Sequence, residues 1–192
     1  MSGARMSGRD AIVALHAARG ARDVVITTMA PARDWMTLPQ QPLDLVFVPS
    51  AMGHATSIGL GIALAQPERR AIVCNGDGSM LMNLGSLASI TGAGASNLVL
   101  LVFENGVYEV TGGQRTAGTH VDFAGLARAA GFASVFELSK LEDWTARIGD
   151  VLAARGPVFA VLKVEPAAGV PGPKSPGPAR ERARRLMDAL RG

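Results

Sequence analysis

The stretch IVCNGDGSMLMNLGSL, residues 72–87, decides the fold. Ile72, Val73 and Cys74 form an apolar run with no polar face. The turn Asn75-Gly76-Asp77-Gly78-Ser79 follows, and then Met80, Leu81, Met82, Leu84 and Leu87 open a helix over 80–90. A strand without a polar face is buried on both sides, which is the condition of parallel strands covered by helices. The same alternation repeats outward from this unit. Strands are predicted at DVVITT (23–28), LDLVFVP (43–49), LVLLVFEN (98–105) and VFAVLKV (158–164). Helices are predicted from the Ser7/Asp10 cap to Gly20, over 50–66, from about 122, and from about 140 to 155. The expected fold is α/β, doubly wound, a mainly parallel sheet with helices on both faces. One domain spans 1–192 on this reading, and 166–192 supplies a Pro/Gly segment and a basic amphipathic helix. Gly53, Ser57, Gly61 and Ala65 recur four apart and predict a face on which the 50–66 helix lies close to a sheet or another helix, and the seam from Met52 to Ala65 is a candidate contact face for a partner chain.

Composition removes several classes of function. The single cysteine, Cys74, sits inside a predicted strand, so neither an internal disulfide nor a cysteine cluster is available. Aromatic residues make up 5% of the chain and its net charge is +3, with many of the arginines in the tail; there is no stacking platform for nucleic acid. No apolar run approaches the ~18 residues of a membrane span, and the first residues lack a signal-peptide pattern, so a cytoplasmic protein with no membrane partner is expected. Ser57 lies in ATSIG, where Ala55 takes the place of the first glycine of a nucleophile elbow. After the first strand, TTMAPA offers no Gly-x-Gly-x-x-Gly for a dinucleotide.

The turn at 75–79 carries the chemistry. Ligands of such sheets bind beyond the carboxyl ends of the strands. Glycines and free amides there suit a phosphate group, which an aspartate facing the same anion would repel. A divalent cation between them removes the conflict, so Asp77 reads as a magnesium ligand beneath a diphosphate. Magnesium takes six oxygens, and Asn105, at the end of the next crossover strand, offers an amide oxygen, with the Val107 carbonyl just after it.

These motifs resemble the thiamine diphosphate enzymes, whose fingerprint is Gly-Asp-Gly followed, after a helix and a strand, by Asn-Asn. SAMGHATSIGLGIALAQPERR (50–70) and ENGVYEVTGGQRT (104–116) are similar to the phosphonopyruvate and sulfopyruvate decarboxylase branch. The resemblance implies thiamine diphosphate and Mg2+ as cofactors, with Asp77, Asn105 and the Val107 carbonyl on the metal. Gly76, Gly78, Ser79 and Thr28 would lie at the diphosphate, the Ser50 carbonyl at the aminopyrimidine, and Met52 under the bend of the cofactor. Three positions depart from the family pattern: Glu104 replaces the first asparagine, Met29 a glycine, and Ala32 a small hydroxyl residue. His54 is a candidate proton relay or a helix cap, and Glu109 a second catalytic candidate. Tyr108, Gln114 and Arg115 are candidate contacts for a small 2-oxo acid with a phosphonate, sulfonate or carboxylate head.

The family also needs a pyrimidine-binding half with an activating glutamate, for which this chain has no room. The resemblance therefore implies a separate α subunit in an α2β2-type assembly, with this chain matching the β subunit. The implied reaction is decarboxylation of a 2-oxo acid to an aldehyde. Carboligation, as in acetolactate or acyloin synthases, and a non-catalytic cofactor-holding role are the alternatives.

Overall fold

The computed structural model describes residues 5–49, 52–167 and 169–192. Helix α1 (Gly8–Ala18) starts at Ser7, whose hydroxyl accepts the Asp10 amide at 3.2 Å. Strand β1 (Val24–Thr27), helix α2 (Met29–Trp35), strand β2 (Asp44–Val46) and helix α3 (Ala55–Ala65) follow. Next come β3 (Ala71–Gly76), the short α4 (Asp77–Leu81), α5 (Gly85–Gly92) and β4 (Leu98–Glu104). Strands β5 (Val107–Tyr108) and β6 (Gln114–Arg115) pair as a small antiparallel hairpin, and a 3-10 turn (Ala117–His120) leads to α6 (Phe123–Ala129). The chain closes with β7 (Ser134–Leu138), α7 (Leu141–Ala153), β8 (Val158–Lys163) and α8 (Ala179–Arg191).

Six strands form one sheet in the order β2-β1-β3-β4-β8-β7, and every pairing is parallel. This is the doubly wound α/β sheet that the apolar runs predict. Successive strand residues point to opposite faces, so Val25, Ile72, Cys74 and Leu101 join α1, α2 and α7 in one core. Val24, Ile26, Val73 and Leu100 join residues of α3, α5, α6 and α8 in the other. Trp35 and Trp144 anchor the first core, and the Trp144 indole donates to the Ala11 carbonyl at 3.0 Å. Among the described residues no helix is long and apolar enough to cross a membrane.

Several local expectations change. The face of α3 turned to the sheet is Ala55, Thr56, Gly59 and Ala63, so within this chain the row of Ser57, Gly61 and Ala65 does not meet the sheet. A Cβ on Gly59 would stand 2.2 Å from Val73 Cγ2, whereas one on Gly61 meets nothing within 4 Å. Ser57, Gly61 and Ala65 are exposed. Both rows have the same spacing, and the sequence periodicity does not say which of them meets the sheet. Helix α2 goes unread because Pro31 stands inside it; it lies in the first turn, where the missing N–H costs nothing. The helix predicted over 80–90 breaks between α4 and α5, where the Asn83 amide is drawn to the Gly53 carbonyl at 2.9 Å. Edge strand β7 buries only Leu138, leaving no continuous apolar run to recognise. Helix α8 packs on the β2 edge with Leu186 buried, and the Arg182 guanidinium donates to the carbonyls of Val46 and Val48.

Candidate cofactor site

The connection from β1 leads outward to β2, whereas β3 leads the other way to β4. The turns after β1 and β3 therefore diverge, leaving a crevice at the carboxyl edge of the sheet. A cleft lies there. Its walls are Met29, Ala30 and Pro31 after β1, Met52, residues 76–79 after β3, Phe103, and residues 107–111 after β4.

Asp77 sits on this cleft only 2% exposed. Its Oδ2 accepts the Gly106 amide at 3.0 Å and the Thr116 hydroxyl at 3.0 Å. Thr116 is itself held, its amide bonded to the Gly106 carbonyl at 2.9 Å and its Oγ1 accepting the Gly118 amide at 3.2 Å. Burial pushes the Asp77 carboxyl above its ordinary range, and donors from Gly78, Thr116 and Gly106 pull it only part of the way back. A carboxylate kept dry at this cost is poised for a cation.

Asn105 lies at the end of β4, its Oδ1 accepting the Val107 amide at 3.0 Å and its Nδ2 donating to Glu109 Oε2 at 2.8 Å. Across the cleft, the Ser79 hydroxyl accepts the Gly53 amide at 2.9 Å. Together with Asn83 on the Gly53 carbonyl, it fixes the turn that carries Met52. Gly53 has φ +85, and a Cβ there would stand 3.0 Å from Asn83 Cβ, so this turn requires glycine. Gly78 faces the Tyr108 ring so closely that a Cβ would come within 2.5 Å of Cε1.

This donor set fits the group implied by the fingerprint. Asp77, the Asn105 amide oxygen and the Val107 carbonyl are hard oxygen donors of the kind magnesium takes. Among the described residues no three His, Cys, Asp or Glu side chains converge on a metal position, so such an ion needs further oxygens from a ligand such as a diphosphate. The cleft beside Gly76 is where that ligand would lie.

Other expected residues are placed differently. His54 stands at the N-cap position of α3 but makes no side-chain cap; its exposed ring lies with Nδ1 3.2 Å from the Met52 carbonyl and does not line the cleft. Thr28 is buried at the start of α2, its hydroxyl 3.5 Å from the Phe47 carbonyl. Gln114 and Arg115 are exposed on β6, outside the cleft, whereas Tyr108 and Glu109 line it. Ser50 falls outside the described residues. Sequence reasoning missed Gly106, Thr116, Asn83 and Arg33. Only Thr116 carried a local signal, the Thr-x-Gly spacing of a hydroxyl-capped turn.

Met29, where the family pattern has glycine, has φ +54. The left-handed region costs a side-chain-bearing residue about 1–2 kcal/mol, and glycine returns roughly 0.5–1 kcal/mol of that through its freer unfolded chain. Met29→Gly is therefore expected to stabilise the chain by up to about 1.5 kcal/mol in denaturant unfolding. A loss of stability would show that Met29 packing, not backbone strain, dominates at this turn.

A family model, that of the thiamine pyrophosphate enzyme, C-terminal TPP binding domain, matches residues 23–162. The chain belongs to this family. Among its relatives is a phosphonopyruvate decarboxylase of Streptomyces hygroscopicus, 41% identical over 143 residues, which cover 74% of this chain and 35% of that protein. The chain thus spans about a third of the length of the first relatives it matches. The sulfopyruvate decarboxylase subunit beta of Methanothermobacter thermautotrophicus is 38% identical over 136 residues, covering 71% of this chain and 70% of that subunit. The fold is shared with a Mycobacterium smegmatis protein described as a thiamin diphosphate-dependent enzyme. The TM-score is 0.71 at 21% identity, over 85% of this chain and 32% of that one.

Proposed function

We propose that this chain is the diphosphate-binding subunit of a two-subunit thiamine diphosphate-dependent decarboxylase acting on a small 2-oxo acid of the sulfopyruvate or phosphonopyruvate type. The observation that carries the reading is the buried Asp77 carboxylate after β3, facing the same crevice as the loop that Asn105 opens after β4. Asp77, Asn105 and the Val107 carbonyl hold Mg2+; Gly76, Gly78 and Ser79 border the diphosphate; Met52 supports the cofactor from the opposite wall. The bound cofactor supplies an electron-accepting ring for the electrons released when carbon dioxide leaves. The chain's own residues bind, orient and exclude water: Phe103, Met29 and Met52 give the cleft an apolar wall, and Tyr108 is the substrate-side candidate nearest to Gly78.

Residues 1–192 act as one diphosphate-binding domain in this reading. The activating glutamate comes from a separate pyrimidine-binding α subunit in an α2β2-type assembly. Two observations support a divided enzyme: the family match is to a C-terminal cofactor-binding domain, and the chain covers 70% of a relative that is itself a beta subunit.

Calorimetric titration of thiamine diphosphate with Mg2+ into the chain, alone and with a co-encoded pyrimidine-binding chain, tests this. Tight binding, and carbon dioxide release from a panel of 2-oxo acids, are expected only in the mixture. Turnover by the chain alone would overturn the divided-site reading, and absence of Mg2+-dependent binding in both would overturn the cofactor assignment.

A further inference from the structure

Glu109 was expected to be catalytic, yet both of its carboxylate oxygens are occupied. Oε1 accepts Arg33 Nη1 at 2.6 Å, and Oε2 accepts Asn105 Nδ2 at 2.8 Å and the Ala167 amide at 3.0 Å. The side chain is 8% exposed, and Arg33 is held in turn by Asp34, its Nε 3.0 Å from Oδ1. The carboxylate therefore gathers three separate stretches at the carboxyl edge of the sheet: α2 after β1, the Asn105 loop after β4, and the segment after β8. The last of these lies beyond the residues that the family model matches.

We propose that Glu109 is a positioning residue that locks the Asn105 side-chain amide with its oxygen available to the metal ion. This inference rests on the reading of Asn105 as a metal ligand given under Proposed function. The two ends of an asparagine amide are nearly the same in shape and opposite in chemistry, and only the oxygen can ligate a cation. Two neighbours choose between the two orientations here. The Val107 amide faces Oδ1, but it lies two residues away on the same loop and moves with it. Glu109 comes from the following turn and is anchored from outside the loop. A carboxylate paired to a guanidinium only accepts hydrogen bonds, so it tolerates the amide N–H and rejects the flipped oxygen. Arg33 and the Ala167 amide hold the carboxylate in place, and Glu109 in turn holds Asn105.

A reversal of the pair tests this. In Glu109→Gln, a single amide oxygen cannot serve Arg33, Asn105 and Ala167 together, and the new NH2 invites Asn105 to flip. In Asn105→Asp, two carboxylates face each other across the former hydrogen bond. In the double variant Asn105→Asp/Glu109→Gln, the amide donates to the carboxylate, so the hydrogen bond is restored in reverse and an oxygen faces the ion whichever way the group turns. The readout is uptake of Mn2+ in the presence of thiamine diphosphate, followed by the electron paramagnetic resonance signal of free Mn2+. It uses the full chain, with its partner if the titration above shows that binding requires one.

Each single variant is expected to weaken Mn2+ uptake by roughly 10–100-fold, as losses around a metal ligand do, and the double variant to recover most of it. A Glu109 that only braces Arg33 predicts no recovery, because the double variant leaves Arg33 facing the same glutamine. Wild-type uptake by Glu109→Gln, or a folded double variant no better than the singles, overturns the inference alone. The double variant keeps one carboxylate in the cluster and decides the question even if a single variant fails to fold. Absence of Mn2+ uptake by the wild-type protein overturns the metal reading itself and this inference with it.

Discussion

Asp77→Asn is expected to abolish Mg2+-dependent binding of thiamine diphosphate while making the cofactor-free chain more stable at neutral pH. The two effects have one cause. Asp77 is 2% exposed, and burial raises its carboxyl above the ordinary value. A carboxyl whose folded value is raised contributes stability that is fully present below its unfolded value, roughly pH 4, and that is lost as pH rises through the folded value. Asparagine keeps an oxygen for the Gly106 amide and the Thr116 hydroxyl without carrying the charge. Glu104 adds to the effect. Burial raises its carboxyl too; Lys163 and Arg5 oppose this, and the charges of Asp77 and Glu137 reinforce it. Neutralising Asp77 thus relieves both groups. Thermal unfolding from pH 5 to 8 should show the variant ahead without ligand, by a margin that grows with pH. With Mg2+, cofactor and the pyrimidine-binding partner chain the order should reverse, since a ligand at 100 times its dissociation constant adds about 2.7 kcal/mol to the wild type alone. Equal Mg2+-dependent binding by the two proteins would show that Asp77 is not a metal ligand.

The elements that position this site were legible where a residue's surroundings follow from its own neighbours in sequence. The apolar runs at β1, β3, β4 and β8 announce strands buried on both faces, and the parallel sheet follows from them. Asp77 between two glycines at a strand end is equally local. What the sequence hid are partners fixed by the sheet order. Thr116 reaches Asp77 from 39 residues away, and Arg33 reaches Glu109 from 76. Neither distance leaves a spacing to read. The face of α3 that meets the sheet was hidden for a related reason: two rows of small residues share one period, and the contact with Val73 selects Gly59. Glu109 and Arg115 lie in the same polar loop, yet the first is nearly buried and the second exposed. The contacts of Glu109 with Arg33 and the Ala167 amide, both remote in sequence, mark that difference, and composition does not carry it.

Gly78→Ala tests whether the cofactor lies where this cleft places it. The added Cβ would stand 2.5 Å from Tyr108 Cε1, 2.8 Å from Cδ1 and 3.2 Å from Thr116 Cγ2. The backbone under the ring cannot yield freely, because the Tyr108 carbonyl accepts the Thr111 and Gly113 amides at 3.2 and 3.0 Å. Overpacking of this kind costs about 1–3 kcal/mol, and the better helix propensity of alanine offsets about 1 kcal/mol of that. Any shift also reaches Thr116, the hydroxyl donor to Asp77, so cofactor affinity should fall by roughly 10–100-fold. A second substitution separates the two consequences. Gly78→Ala/Tyr108→Ala removes the ring and with it the overlap, so the stability lost to overpacking should return. Affinity should stay low, because the methyl group still crowds Thr116, the hydroxyl donor to Asp77. Chemical denaturation and calorimetric titration of the single and double variants give both numbers. If affinity returns with stability, Gly78 is glycine only to admit the tyrosine ring, and crowding at Thr116 does not govern cofactor binding.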